Sequence, residues 1–164
     1  MMTIEQTIET CGLVAELTVS QTKNFSIIQK HWRLLNEAVK NYGLSQAHST
    51  WVKYGITFKA GEHYRYLAAI PMKNFSVPDH FIQMDIPAGD YEVFTHKGAM
   101  EHLKRTVYEI YKTILPNSNL KIEDQSKVGF VHFERYDSRF KWNNPDSEID
   151  IYLPVKTDRG IKNG

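Results

Sequence analysis

The residue with the most distinctive chemical surroundings is Glu134, in the run Val-Gly-Phe-Val-His-Phe-Glu-Arg-Tyr at 128–136. The run is rich in β-branched and aromatic residues, the composition of a strand. Side chains alternate along a strand, so Phe130, His132, Glu134 and Tyr136 are expected on one face, and Val131, Phe133 and Arg135 on the other. A carboxylate among aromatic rings must be paired, hydrogen-bonded or protonated, since burying it alone costs several kcal/mol or raises its pKa. Arg135 or Arg139 could serve as its partner. Left unpaired by the protein, Glu134 would suit an organic cation. Such an ion loses little hydration on entering an apolar pocket, and Tyr or Trp faces add about 0.5–2 kcal/mol of cation–π attraction.

The walls of such a pocket would be aromatic. Nine tyrosines, eight phenylalanines and three tryptophans make the aromatic share 12%, and Tyr54, Tyr64 and Tyr66 in the first half, with Phe94, Phe130 and Tyr136 in the second, fall on strand-like runs. These are the candidate ligand-binding residues beside Glu134. Trp142 follows on a loop, where a large aromatic between Phe140 and Asn-Asn-Pro reads as a lid.

Other chemistries have less to work with. Glu134 with a raised pKa could act as general acid or base, with Tyr136 on its face. No nucleophile and base are paired: the strand points Asp137 away from His132, and no Gly-x-Ser-x-Gly elbow exists. No catalytic residue is therefore assigned. The seven histidines, His31, His48, His63, His80, His96, His102 and His132, show no His-x-His or His-x-x-x-His spacing, so no metal site is expected. Cys11 is the only cysteine, which rules out an intrachain disulfide and a cysteine-built metal centre. No cofactor is implied.

At 164 residues the chain suits one compact domain over residues 1–164. Twenty basic and 19 acidic residues leave a formal charge of +1, without the basic cluster that a nucleic-acid partner requires. No apolar run reaches the roughly 18 residues of a membrane span, and the N-terminus lacks the features of a signal peptide. The expected location is the cytoplasm, with no membrane partner.

The elements that must position Glu134 can be read from hydrophobic spacing. Residues 11–19 alternate as a first strand, followed by a helix from Asn24 with apolar Phe25, Ile28, Trp32, Leu35, Val39 and Tyr42, closed by Gly43. Runs at 51–58 and 63–70 flank a short Gly-containing turn as a hairpin. Residues 71–80 connect to a second half. There, runs at 81–86 and 90–96 flank Pro-Ala-Gly, and Met100, Leu103, Val107, Ile110 and Ile114 mark a second helix closed by Pro116. Strands at 128–136 and 148–155 complete it. The expected fold is α+β: two strand-helix-strand-strand units, about 8–75 and 81–156, forming an antiparallel sheet with two long helices and a ligand cleft between the units.

Several segments carry a resemblance: Ile-Pro-Ala-Gly-Asp-Tyr-Glu-Val-Phe-Thr-His-Lys-Gly at 86–98, the second helix with Tyr108 and Tyr111 leading to Leu-Pro-Asn-Ser at 115–118, Phe-Glu-Arg-Tyr-Asp at 133–137, and Ser-Glu-Ile-Asp-Ile-Tyr-Leu-Pro-Val at 147–155. Together they resemble the GyrI-like effector-binding family of bacterial transcription regulators. That resemblance implies the SHS2-like double unit and the binding of amphipathic, often cationic, small molecules, with Glu134 inheriting the role of the family's central acidic residue. Family members occur fused to a DNA-binding domain or alone. Only ten or so residues precede the first expected strand, so direct DNA binding is not expected of this chain. The resemblance leaves two rival roles open. One is hydrolysis of strained electrophilic rings by the acidic residue with a nearby tyrosine. The other is inhibition of a protein partner, after the gyrase inhibitor that names the family. A haem-binding variant of the fold also exists, but no histidine here stands out as an axial ligand.

Overall fold

A computed structural model describes residues 1–44, 52–72 and 75–156. The expected strand start at Trp51, His48, and Lys73 and Asn74 of the connection lie outside these residues. Eight antiparallel strands form one sheet: β1 (Met2–Ile4), β2 (Ile8–Glu16), β3 (Lys53–Ala60), β4 (His63–Pro71), β5 (Ile82–Ile86), β6 (Gly89–Lys97), β7 (His132–Tyr136) and β8 (Glu148–Pro154), in the spatial order β1-β6-β8-β7-β3-β4-β2-β5. Among the described residues the α-helices are α1 (Gln21–Asn41), α2 (Leu103–Glu109) and the short α3 (Gln125–Val128).

The connectivity repeats about the seam between β3 and β7. On one side the order outward is β3, β4, β2; on the other it is β7, β8, β6. In each half the first strand precedes a long helix and the other two follow it. The strand leading into each half joins the opposite half: β1 pairs with β6, and β5 pairs with β2. The run Pro-Ala-Gly at 87–89 therefore does not close a hairpin. It links strands at opposite ends of the sheet, which must curl for two residues to span the gap. A hydrogen bond from Ala88 N to Thr7 Oγ1 ties the two crossing links.

The curl gives the sheet two different faces. Inside it lie Tyr54, Ile56, Leu67, Ala69, Ile86, Tyr91, Phe130, Phe133 and Tyr152. The outer face carries Tyr66, Ala68, Ile70, Tyr136, Ile149, Ile151 and Leu153, and packs against Trp32, Leu35 and Val39 of α1 and Met100, Leu103 and Ile110 of the second helical region. Strand alternation assigns each residue to its side.

Helix α1 begins three residues earlier than spacing implies, because Ser20 accepts a hydrogen bond from Lys23 N and caps it. Asn24 lies inside the helix, and its side chain turns back to bond Thr18 through both backbone groups and the hydroxyl. That fold-back ends β2 at Glu16, short of the expected 19. The helix closes as expected at Gly43, whose φ of 69° is the left-handed conformation that glycine adopts without penalty. The second helix is irregular: a 3-10 turn at Met100–His102, α2, then a π turn at Ile110–Ile114, with Leu115 N bonded to Ile110 O at 2.9 Å. Spacing of apolar residues cannot separate these turns, since each buries the same stripe. The strand expected at 128–136 is also shorter. Asp124 caps α3 and Gly129 ends it, so β7 starts only at His132.

Candidate functional site

Glu134 lies at the middle of β7, on the outer face, opposite Gly55 of β3 on one side and Ile151 of β8 on the other. Its side chain is 5% exposed. Neither arginine considered as its partner reaches it: Arg135 points to the other face and bonds Asp137, and Arg139 bonds Asp137 and Asp150. Two tyrosines hold it instead. Tyr66 Oη donates to Oε1 at 3.0 Å and Tyr136 Oη donates to the same oxygen at 2.5 Å. Trp32 Nε1 donates in turn to Tyr66 Oη at 3.1 Å. The polarity of the relay is fixed, since indole can only donate, so Tyr66 accepts from Trp32 and gives its own proton to the carboxylate. Burial, and then the neighbouring carboxylate, push both phenols well above their usual range, which keeps them donors.

Tyr66 belongs to β4, one strand beyond β3. Its hydroxyl reaches Glu134 by crossing over Gly55, where a Cβ atom would stand 2.6 Å from the tyrosine Cζ and 2.9 Å from Glu134 Oε1. The missing side chain makes the bond across three strands possible.

Burial raises the Glu134 pKa to about 7, against the lowering effect of the two tyrosine bonds. Oε2 accepts no hydrogen bond among the described residues. Two residues earlier, His132 shares the face, bonds Tyr111 Oη through Nδ1 at 2.8 Å, and is pushed down to about 4 by burial.

These groups line the floor of a cleft of about 730 Å³ between the N-terminal half of α1 and the second helical region. Phe25 and Ile28 come from α1, Met100, Leu103 and Val107 from the opposite wall, and Thr57, Tyr66, His132 and Glu134 from the sheet. Of the residues singled out from sequence, Glu134, Tyr66 and Tyr64 line this cleft, Tyr64 at its exposed edge. Tyr136 touches Glu134 from behind and lines a separate recess of about 70 Å³ with Trp32, Phe140 and Trp142. Trp142 packs between Phe25, a wall residue of the main cleft, and Phe140, at ring distances of 5.9 and 6.0 Å, and lines the recess. Phe94 packs against the outer core without lining either cavity. Tyr54 lies inside the curl. So does Phe130, and here the expected face is reversed: β7 begins after Phe130, so alternation does not extend back to it, and its ring meets Phe133 at 5.6 Å.

Sequence reasoning did not name Gly55, Trp32, Tyr111 or His132 as site residues. Alternation had set His132 on the face of Glu134 and helical spacing had set Trp32 on the apolar stripe, while Gly55 stood as an isolated glycine inside a strand pattern.

The two buried titrating groups have opposite effects on stability. Glu134 is protonated more readily folded than unfolded, so its contribution is present below pH 4.5 and is lost as pH rises to 7, by about 3 kcal/mol. His132 is protonated less readily folded, so it disfavours folding at low pH and is relieved between pH 4 and 6.5, by about the same amount. Chemical unfolding of Glu134→Gln is expected to reveal a stability that climbs over this range by about 3 kcal/mol more than in wild type. Parallel pH profiles for the two proteins would contradict the assignment.

The model of the integron-associated effector binding proteins, Cass2, matches residues 4–155. The chain belongs to this family. The Cass2 assignment agrees with the GyrI-like resemblance of the sequence. The transcriptional regulator BrlR of Pseudomonas aeruginosa is 32% identical over 120 residues, 71% of this chain; the match spans 42% of that regulator's length. Two solved structures share the Cass2-family fold. SAV2435 bound to tetraphenylphosphonium superposes with a TM-score of 0.71 at 14% identity, covering 94% of this chain and 92% of the other. An integron cassette protein from the mobile metagenome of Vibrio cholerae does so at 0.60 and 15%, covering 94% of both. The chain is thus an effector-binding domain related to transcription regulators. No helix among the described residues is long and apolar enough to cross a membrane.

Proposed function

We propose that this chain binds amphipathic organic cations with aromatic bodies in the cleft between α1 and the second helical region, with Glu134 as the counter-charge, and that binding serves drug sensing or transcription regulation. One observation carries this reading: a buried carboxylate at the base of a drug-sized cleft, held through one oxygen by two tyrosines and contacted by no basic side chain among the described residues. A cation restores the charge balance that burial removed. The lipophilic cation in the SAV2435 structure supports the same ligand class.

The test is a thermal-shift series of matched cationic, neutral and anionic aromatic compounds on wild type and Glu134→Gln. Cations are expected to stabilise the wild type selectively, and the substitution to weaken them by about 1.5–3 kcal/mol while sparing neutral compounds. Equal stabilisation by all three classes would overturn the reading. A carboxyl with its pKa near 7 also suits a general acid, the ground for a second reading as a small-molecule hydrolase. There, Glu134→Gln would abolish turnover of an electrophilic substrate but leave its binding intact.

A further inference from the structure

The wall opposite α1 carries a charge pattern at odds with a simple cation. Lys104, Arg105 and Lys112 all line the cleft and are exposed; of the two acidic residues in this helical region, Glu101 lines the cleft and Glu109 does not. Glu101 lies 3.5 Å from the neighbouring His102 Nε2 at the exposed end of the wall. None of the three bases forms an ion pair among the described residues, although Arg65, Lys127, Arg135 and Arg139 all do. Lys104 and Lys112 lie two turns apart with Tyr108 between them, so one side of the helix presents an aromatic ring flanked by ammonium groups. The chain as a whole has only one more base than acid, so this concentration does not follow from general basicity. A cation approaching Glu134 meets repulsion from this wall. A ligand with an acidic group at its outer end meets attraction.

Resting on the reading of Glu134 as counter-charge, we propose that the ligand is bipolar: an aromatic zwitterion whose cationic part faces Glu134 and whose carboxylate, sulfonate or phosphate is held at the cleft mouth by Lys104, Arg105 and Lys112. The basic wall then selects among cations, favouring those with an acidic tail.

Rhodamine B, a zwitterion at neutral pH, and its ethyl ester, a cation of nearly the same shape, separate the two ends of the site by fluorescence anisotropy. Wild type is expected to bind the acid about three- to tenfold tighter than the ester, the scale of a few exposed ion pairs. Added salt should erode that preference. The triple variant Lys104→Gln/Arg105→Gln/Lys112→Gln should abolish it by weakening the acid alone, while Glu134→Gln should weaken both dyes alike. An ester that binds as tightly as the acid, or a preference insensitive to salt, would overturn the bipolar ligand even if the triple variant failed to fold, and would leave the Glu134 reading standing. If the triple variant discriminated but Glu134→Gln changed neither dye, the counter-charge reading would fall and the wall would be an anion site. Failure of wild type to bind either dye would count against both.

Discussion

Replacing Gly55 with alanine is expected to destabilise the protein by about 4 kcal/mol, the sum of an overpacked sheet and a disturbed buried hydrogen bond. The new methyl group would stand 2.6 Å from the Tyr66 ring and 2.9 Å from the Glu134 carboxylate, and neither can retreat easily. Tyr66 is 1% exposed and fixed at its hydroxyl by Trp32, and Glu134 is held a second time by Tyr136. The ring must swing away, which breaks the bond to Oε1. The variant should therefore lose affinity for cations to roughly the extent of Glu134→Gln, although Glu134 itself is intact. Urea unfolding measures the first effect and ligand titration the second. A variant within about 1 kcal/mol of wild type that kept its ligand affinity would show that the close approach over β3 has no role.

Much of this site was legible. The aromatic run around Glu134, with alternation as the rule, placed Tyr136 beside it, and the stripe along α1 brought Trp32 inward. What alternation cannot reveal is which strands become neighbours. Tyr66 was one pocket candidate among several because its bond to Glu134 depends on β4 lying two strands from β7, with β3 between them, and joins side chains 68 positions apart. The same blindness affected Pro-Ala-Gly at 87–89. Its residues have turn chemistry, yet the flanking strands find partners elsewhere, β5 on β2 and β6 on β8. Phe130 was placed on the wrong side because β7 begins only at His132, and a period of two holds only within a strand. The irregular second helix escaped for the opposite reason: its apolar stripe is continuous, so nothing in the spacing marked the turns that change pitch.

Phe133→Ala is expected to cost about 3–5 kcal/mol, the range for truncating a fully buried phenylalanine. Phe133 is 1% exposed at the centre of the inner core. Its ring stacks on Tyr152 at 4.6 Å and meets Tyr54, Tyr91 and Phe130 edge-on at 5.6–5.8 Å. Those partners come from β3, β6, β8 and the segment before β7, so one side chain joins both halves of the sheet. Equilibrium denaturation measures the loss. A cost below about 1 kcal/mol would mean that the surrounding rings close the gap, and that the curl does not depend on this residue. In protein that remains folded, cation affinity should change little, because Phe133 faces away from the cleft.

The exchanged leading strands bear on how the chain reaches this state. β1 can pair only after the chain has been made as far as β6, some 87 residues later, and β5 must travel back to β2 across the first half. Until both arrive, β2 and β6 each expose a row of unpaired backbone groups, the kind of edge along which separate molecules join. Contacts so distant in sequence form late and slowly. The period of greatest risk for this protein is therefore its synthesis and refolding, before β5 and β1 have covered these two edges.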